Sequence, residues 1–350
     1  DYAVEYKNNL IIIVNDNDQS IAENHGGIYK TLKELRENNG ESNHNMFKVF
    51  GLEYKYLDDG HNIEKLIELF ESVKGINHPV VLHIHTIKGK ILSYAEENAV
   101  AMSSGIAKNG GTALFGTFAP FFQRIYDQIS HDLCLNDNPA TMLVLSPGIY
   151  GMNTNTHIAL CDIQMFAHIP NLIYLAPASK EEYRQMFKFA TTQKEHPVAI
   201  RVPVVFTQSG VEDTTDYSVY NKNKVEIKGS KVAIFTVGAM LPMALETAKK
   251  VKEETGLEIT VINPRFLTGL DEELLTKLKE NHELVITLED GELIGGYGQT
   301  IASFYGDMNI KVKNYGISKA FHTDFKADEL LAENGMSVEQ LTAYIKKSVH

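Results

Sequence analysis

A chain of 350 residues is long enough for two or three domains and a large core. Its formal charge of -12, from 45 acidic and 33 basic residues, excludes a broad nucleic-acid or anionic-membrane surface, because either would need a positive field. Two cysteines, Cys134 and Cys161, without CxxC or Cys/His spacing, indicate neither a disulfide framework nor a zinc site and fit a reducing cytoplasm. The apolar runs are of strand length and no signal-peptide pattern opens the chain, although Asp1 is not an initiator methionine and the N-terminus is expected to be incomplete.

The first element is the continuous β-branched run Leu10 to Val14, the pattern of a strand covered on both faces of a parallel sheet. Polar Asn15 to Ser20 follow it. Ligands of open parallel sheets collect at the carboxyl ends of strands, so this run suits a metal-bound phosphate, and an Asx-turn or helix cap equally well. A helix is expected from about Ile28 to Glu37, a loop over 38–45, a short helix and strand over 46–57, and an amphipathic helix from Ile63 to Val73 with Ile63, Leu66, Ile67 and Phe70 on one face. Pro79 to Thr86 is the next buried strand, ending in Lys88-Gly89-Lys90. His83 and His85 share one of its faces, either as a metal pair or as satisfied strand histidines.

From Tyr94 to Gln128 the sequence concentrates chemistry. Glu96 and Glu97 open a helix of small residues, Gly110-Gly111 turn the chain into a short apolar strand, and a Phe-rich turn leads to a second helix carrying Arg124. A carboxylate in a first helical turn also serves the macrodipole, and Phe118, Phe121 and Phe122 also suit a core.

Strand and helix alternate on through Thr141 to Ser146, Leu172 to Ala176, Lys180 to Ala190 and Val198 to Val202, with a polar linker from Phe206 to Asn223. A third unit repeats the pattern from Lys231 to Tyr315. In it, Gly291 to Gly298 lacks the Lys-Ser/Thr of a P-loop and reads as a structural turn before a helix. The fold class is α/β, three parallel-sheet domains in series: residues 1–92, 93–221 and 222–350.

The order of NDNDQSIAENHGG, DGH (Asp59 to His61), HTIKGK, AEENAV, FAPFFQRIYDQ, the NTNTH run ending at His157, and VINPRFLTGLDEE resembles the 1-deoxy-D-xylulose-5-phosphate synthase family of the transketolase-like group. The resemblance spans nearly the whole chain. It implies a thiamine-diphosphate-binding fold, Mg²⁺, a homodimer in the cytoplasm, and a reaction that decarboxylates pyruvate and joins the two-carbon unit to glyceraldehyde 3-phosphate. Asn17 matches the family's metal-binding amide and Gln19 the residue giving a backbone carbonyl, with Ser20 beside them. Lys88 matches a lysine near the phosphates. Glu96 matches the acid that hydrogen-bonds the aminopyrimidine N1′, with Glu97 on the solvated face. Phe121 matches the aromatic residue stacked on the pyrimidine, and Phe118 falls where a tyrosine is common near the substrate. Arg124 and His157 match active-site residues; a lone histidine after a polar loop is otherwise a surface or capping residue.

The departures matter as much. The Gly-Asp-Gly turn of the family is absent, and Lys90 runs into Ile91 where the family has a long connection, so the sequence is expected to be the ordered part of a longer polypeptide. Ser146 and Val204 stand where the family places two phosphate-binding arginines, and Asn153 where it has an aspartate. Neither serine nor valine replaces a guanidinium. Arg201, three residues before Val204, is a candidate for compensation. The alternatives are therefore the same cofactor chemistry with an unphosphorylated aldehyde, or a non-catalytic binding protein.

Overall fold

The computed structural model of the protein describes residues 10–17, 27–87, 95–207 and 209–349. The chain divides into two compact units, the first Asp1–Phe115 with Arg124–Met142 and Thr191–Pro197, the second Gly116–Gln123 with Leu143–Ala190 and Val198–His350.

In the first unit the β-branched run forms β1 (Leu10–Asp16), parallel to β3 (Val80–His85) on one side and β4 (Thr112–Phe118) on the other, with β2 (Glu53–Leu57) beyond β3. The register sets Ile11 opposite Val80 and Asp16 opposite His85, so the polar ends of β1 and β3 coincide. Helices α1 (Gly27–Glu37), α2 (Met46–Val49), α3 (Ile63–Glu71) and α4 (Ala95–Lys108) accompany these strands. Asn45 caps α2 by accepting from the N–H groups of Phe47 and Lys48, and Asn62 caps α3 by accepting from Lys65. The face of α3 differs from the expected one. Leu66, Leu69, Phe70 and Val73 meet the core formed with Ile11, Val80 and Leu82, while Ile63 and Ile67 are exposed. That stripe keeps the i, i+3, i+4, i+7 spacing, which rotates Ile63 and Ile67 off the buried face.

After β4 the expected second helix begins as a 3₁₀ turn, Ala119–Ile125, which carries Arg124. Ala119, Phe122 and Ile125 are all buried, and this three-residue spacing matches three residues per 3₁₀ turn. A single α turn, Tyr126–Gln128, leads into a π-helical segment, Ile129–Leu135. The carbonyl of Asp132 in that segment accepts the Ser104 hydroxyl of α4 at 2.8 Å.

The second unit contains β5 (Thr141–Leu145), β8 (Ile173–Leu175) and β9 (Val198–Val202) in the order β5-β9-β8. Between β5 and α5 (Asp162–Phe166), the strands β6 (Asn153–Thr154) and β7 (His157–Ile158) form a small antiparallel hairpin. Helix α6 (Lys180–Thr192) links β8 to β9. A five-stranded sheet follows, made of β10 (Lys224–Ile227), β11 (Lys231–Thr236), β12 (Thr260–Asn263), β13 (His282–Glu292) and β14 (Lys311–Ile317), ordered β10-β12-β11-β13-β14. It is parallel except for β10, an antiparallel edge strand just after the stretch that reads as linker. Helices α7 (Leu241–Thr255), α8 (Glu272–Leu278), α9 (Tyr297–Phe304), α10 (Ala327–Glu333) and α11 (Val338–Ser348) complete the unit. Its core sets Val232, Ile234, Val261 and Ile286 against Ala244, Val251, Leu341 and Ile345.

The α/β class with parallel sheets is what the sequence pattern requires. Contacts group the chain into two compact units, with bonds that run across positions 92 and 222. Strand β4, beyond residue 92, pairs with β1 before it. Asp290 of β13 bonds back to Ile149 and Arg201, joining residues on both sides of position 222.

The Gly291 to Gly298 segment is a turn before a helix. Glu289 of β13 accepts the N–H groups of Tyr297 at 2.7 Å and Gly298 at 2.6 Å, at the start of α9. Burial pushes its carboxyl up to about 7 from an ordinary 4.5, against the pull of those two N–H groups. An acid whose folded-state pKa is raised holds its proton more tightly when folded. Its contribution to stability is complete below pH 4.5 and is lost as the pH rises through 7. We predict that Glu289→Gln flattens the fall in urea-denaturation stability across that window by up to about 3 kcal/mol. An unchanged slope in the variant would assign the pH dependence to other groups.

Candidate functional site

At the carboxyl end of β1, side chains of the NDN run are tied into the first unit. Asn15 Oδ1 accepts the Thr86 hydroxyl at 2.8 Å, and the Thr86 N–H donates to the Asp16 carbonyl at 2.9 Å. Asp16 Oδ2 accepts from His83 Nε2 at 3.0 Å and from the Arg36 guanidinium. With Nε2 donating, His83 Nδ1 is left to accept the Tyr54 hydroxyl at 2.7 Å. Burial pushes the Tyr54 phenol well above its ordinary range. His83 is fully buried with both ring nitrogens engaged, so it is a satisfied core histidine and not half of a metal pair. Among the described residues no group of three or more His, Cys, Asp or Glu is placed to hold a metal ion. Asn17 stands just past the strand end, half-buried. Its amide oxygen is a hard donor of the kind Mg²⁺ takes, so its chemistry fits that ion. Gln19, Ser20 and Lys88 lie outside the described residues.

Glu96 and Glu97 occupy the first turn of α4, as the small-residue run implies. Glu97, expected on the solvated face, is half-buried. Burial raises its carboxyl pKa and the neighbouring Glu96 raises it further, while Arg124 pulls it down. Two acids and the exposed Arg124 thus share one electrostatic neighbourhood in the first unit.

In the second unit an aromatic group gathers around His157. Phe118, 40% exposed, lies edge-on to Phe121 at 6.5 Å between ring centroids, and Phe121 lies edge-on to the His157 ring at 5.0 Å. His157 Nδ1 is 2.8 Å from the Thr156 hydroxyl and 3.4 Å from that of Thr154. Among the described residues nothing hydrogen-bonds its Nε2. The ring is thereby oriented by one nitrogen and one aromatic edge, with the other nitrogen uncommitted.

The remaining candidates make contacts of their own, Asn153 from the same hairpin as His157. Asn153 Nδ2 donates to the Phe325 carbonyl at 2.8 Å and its own carbonyl accepts from Asp324 at 2.8 Å, so the residue pins the hairpin to the segment before α10. Ser146 ends β5 at a left-handed φ of 52° and donates its N–H to Val202 at 3.0 Å. Val204 follows β9 and is 54% exposed.

Arg201 is not available to compensate. It is buried, its Nε and Nη2 donate to the two Asp162 oxygens at 2.7 and 3.1 Å, and its Nη1 donates to Asp290 Oδ1 at 2.6 Å. The Tyr174 hydroxyl also donates to Asp162, at 2.5 Å. Burial alone would lower the pKa of this guanidinium, but the two carboxylates more than offset that and hold it well above its ordinary value. Burial likewise raises the pKa of Asp290, against the stabilising charge of Arg201. Sequence reading passed over Asp162 and Asp290. The signal was there for Asp290, since the pair Glu289-Asp290 closes an otherwise apolar strand, LVITLED, where an acid must find a partner.

Comparison with known proteins covers the chain in three consecutive pieces. The 1-deoxy-D-xylulose-5-phosphate synthase family matches residues 1–45 and 39–86, the transketolase pyrimidine binding domain 91–205, and the transketolase C-terminal domain 221–341. Among similar proteins, the 1-deoxy-D-xylulose-5-phosphate synthase of Carboxydothermus hydrogenoformans is 28% identical, covering 99% of this chain and 73% of its own length. Those of Alkaliphilus oremlandii and Clostridium tetani are 27% and 25% identical over 97% of this chain and 72% and 73% of theirs. The Clostridium tetani alignment runs to 458 positions against the 350 residues present, so a large part of the relative faces gaps. In fold the chain is similar to a split gene transketolase described as an inactive beta4 tetramer, with a TM-score of 0.63, 22% identity, and coverage of 91% of this chain and 95% of that one. A transketolase from Leishmania mexicana follows with a TM-score of 0.57 and 16% identity over 76% of this chain and 37% of its own.

Proposed function

The chain belongs to the 1-deoxy-D-xylulose-5-phosphate synthase family of transketolase-like, thiamine-diphosphate-dependent transferases, and on that premise we propose that it decarboxylates pyruvate and joins the two-carbon unit to an aldehyde. Glyceraldehyde 3-phosphate is the acceptor of the first reading. The observation that carries the proposal is His157, oriented by Phe121 and Thr156 with Nε2 uncommitted, as a group that must exchange a proton with a substrate requires.

When bound, thiamine diphosphate supplies the carbon nucleophile that decarboxylation of a 2-oxo acid needs. The residues of this chain bind, orient and move protons around it. Glu96, half-buried in the first turn of α4, would hydrogen-bond the pyrimidine. Phe121 offers a ring to stack, and Phe118 lies beside it. Arg124 and His157 act on the substrate. Asn17 gives an amide oxygen to Mg²⁺, with Gln19, Ser20 and Lys88 assigned to the diphosphate end by resemblance alone. Division into domains at 1–92, 93–221 and 222–350 accompanies this reading. So does a cytoplasmic location, supported by the two free cysteines. A homodimer completes it, supported by exposed apolar side chains such as Phe321 and Ile294.

A second reading keeps the chemistry and changes the acceptor to an unphosphorylated aldehyde. It is favoured by Arg201, committed to Asp162 and Asp290, and by the exposed apolar Val204.

Carbon dioxide release from pyruvate, measured with thiamine diphosphate and Mg²⁺, should fall by about two orders of magnitude or more in Glu96→Gln. Release unaffected by the substitution would remove Glu96 from the mechanism, and no release from the unsubstituted protein would favour a binding protein. Introducing Ser146→Arg with Val204→Arg should lower KM for a phosphorylated acceptor about tenfold under the second reading, and an unchanged KM counts against it. Light scattering should give about twice the mass of one chain measured under denaturing conditions, and a monomer mass would discard the homodimer.

A further inference from the structure

The segment from Ser146 to Asp162 leaves β5, carries the β6-β7 hairpin with His157, and ends at the start of α5. Residues 152–156 are half-buried or exposed, and Asn153 ties them to the segment before α10. The two ends of 146–162 are tied as well: Arg201 holds the far end directly, and the near end meets the main chain of a residue whose carboxylate Arg201 holds. At the far end, Asp162 takes the Nε and Nη2 of Arg201. At the near end, the Ile149 N–H donates to the Asp290 carbonyl at 2.8 Å, and the carboxylate of that same Asp290 takes Arg201 Nη1 at 2.6 Å.

Gly148 shows how closely this group is fitted to the chain. It has a left-handed φ of 76°, and its N–H donates to the Ala159 carbonyl at 2.7 Å, closing the segment on itself. A Cβ there would stand 2.1 Å from Asp290 Oδ2 and 2.7 Å from Arg201 Nη2. No flexible side-chain tip could yield, because both neighbours are held in the ion pair. Asp290 Oδ2 has no hydrogen-bond partner and is buried, so the pair is not arranged to satisfy every polar atom. An ion group kept at that cost holds something in place.

We propose that Arg201 is a positioning residue that clamps both ends of the 146–162 segment, through Asp162 and Asp290, and so sets His157 for the aldehyde acceptor. The acceptor half of this inference rests on the function proposed above; the clamp itself rests on geometry alone.

The test uses the full chain and two independent readouts, amide hydrogen exchange by mass spectrometry and steady-state kinetics. In Asp290→Asn, which keeps the shape and weakens the pair, exchange in peptides covering 147–158 should quicken about tenfold while peptides of β11 and β12 keep their protection. KM for the aldehyde should rise about tenfold with pyruvate decarboxylation changed less than about twofold. Gly148→Ala should give the same pattern with the ion pair chemically intact, and it decides the matter if Arg201→Lys or Asp290→Asn does not fold. Loosening spread evenly across the second unit, or none in 147–158, would overturn the clamp. If the unsubstituted protein does not decarboxylate pyruvate, the functional reading fails, and the exchange pattern still decides the clamp.

Discussion

The second unit depends on one buried cation between two buried carboxylates. Arg201 comes from β9, Asp162 from the first residue of α5 and Asp290 from near the end of β13. An apolar trio of similar volume would hold these elements at least as firmly, since taking charges out of water costs several kcal/mol per ion. It would not hold them in one arrangement. A guanidinium presents a planar fork, and the two-point contact with Asp162 fixes its plane before Asp290 is reached. Loss of the guanidinium would leave two carboxylates buried without their cation, at about 3–5 kcal/mol.

The first unit solves a like problem with one ion pair extended by a hydrogen-bonded ring. Asp16 is anchored by Arg36, but the chain of bonds then runs inward through the His83 ring to a phenol. Hydrogen bonds in such a series polarise one another where the local dielectric is low. The carboxyl end of β1 is therefore stiff up to Asp16, and Asn17 projects from a fixed base. A rigid strand end followed by polar residues is the arrangement parallel sheets use to present ligand-binding groups.

Much of this was legible from residues alone. Leu10 to Val14, Val198 to Val202 and Lys231 to Val237 read as strands because β-branched and apolar runs have few alternatives. Local pattern could not give the face of α3, since Ile63 and Ile67 are as apolar as the residues that displaced them from the core. Nor could it give the π-helical turn, whose carbonyl at Asp132 gathers the Ser104 hydroxyl and the Asn138 amide. The motifs around Glu96, Phe121 and His157 were visible as residue types. That Phe121 meets His157 edge-on is a property of the fold. Arg201 was the misleading case, because position on a strand says nothing about whether a charge faces solvent or two aspartates.

Adjacent residues of a strand point to opposite faces, and β13 puts an acid on each. Glu289 reaches the first N–H groups of α9, and Asp290 reaches the guanidinium from β9. A slip of one position along the sheet would exchange the two faces, leaving the helix start without its acceptor and the cation facing the wrong side chain. Apolar residues at both positions would tolerate such a slip. The Glu-Asp pair works as a registration mark, which lets the strand pair in one frame and brings the segments on its two sides into alignment together.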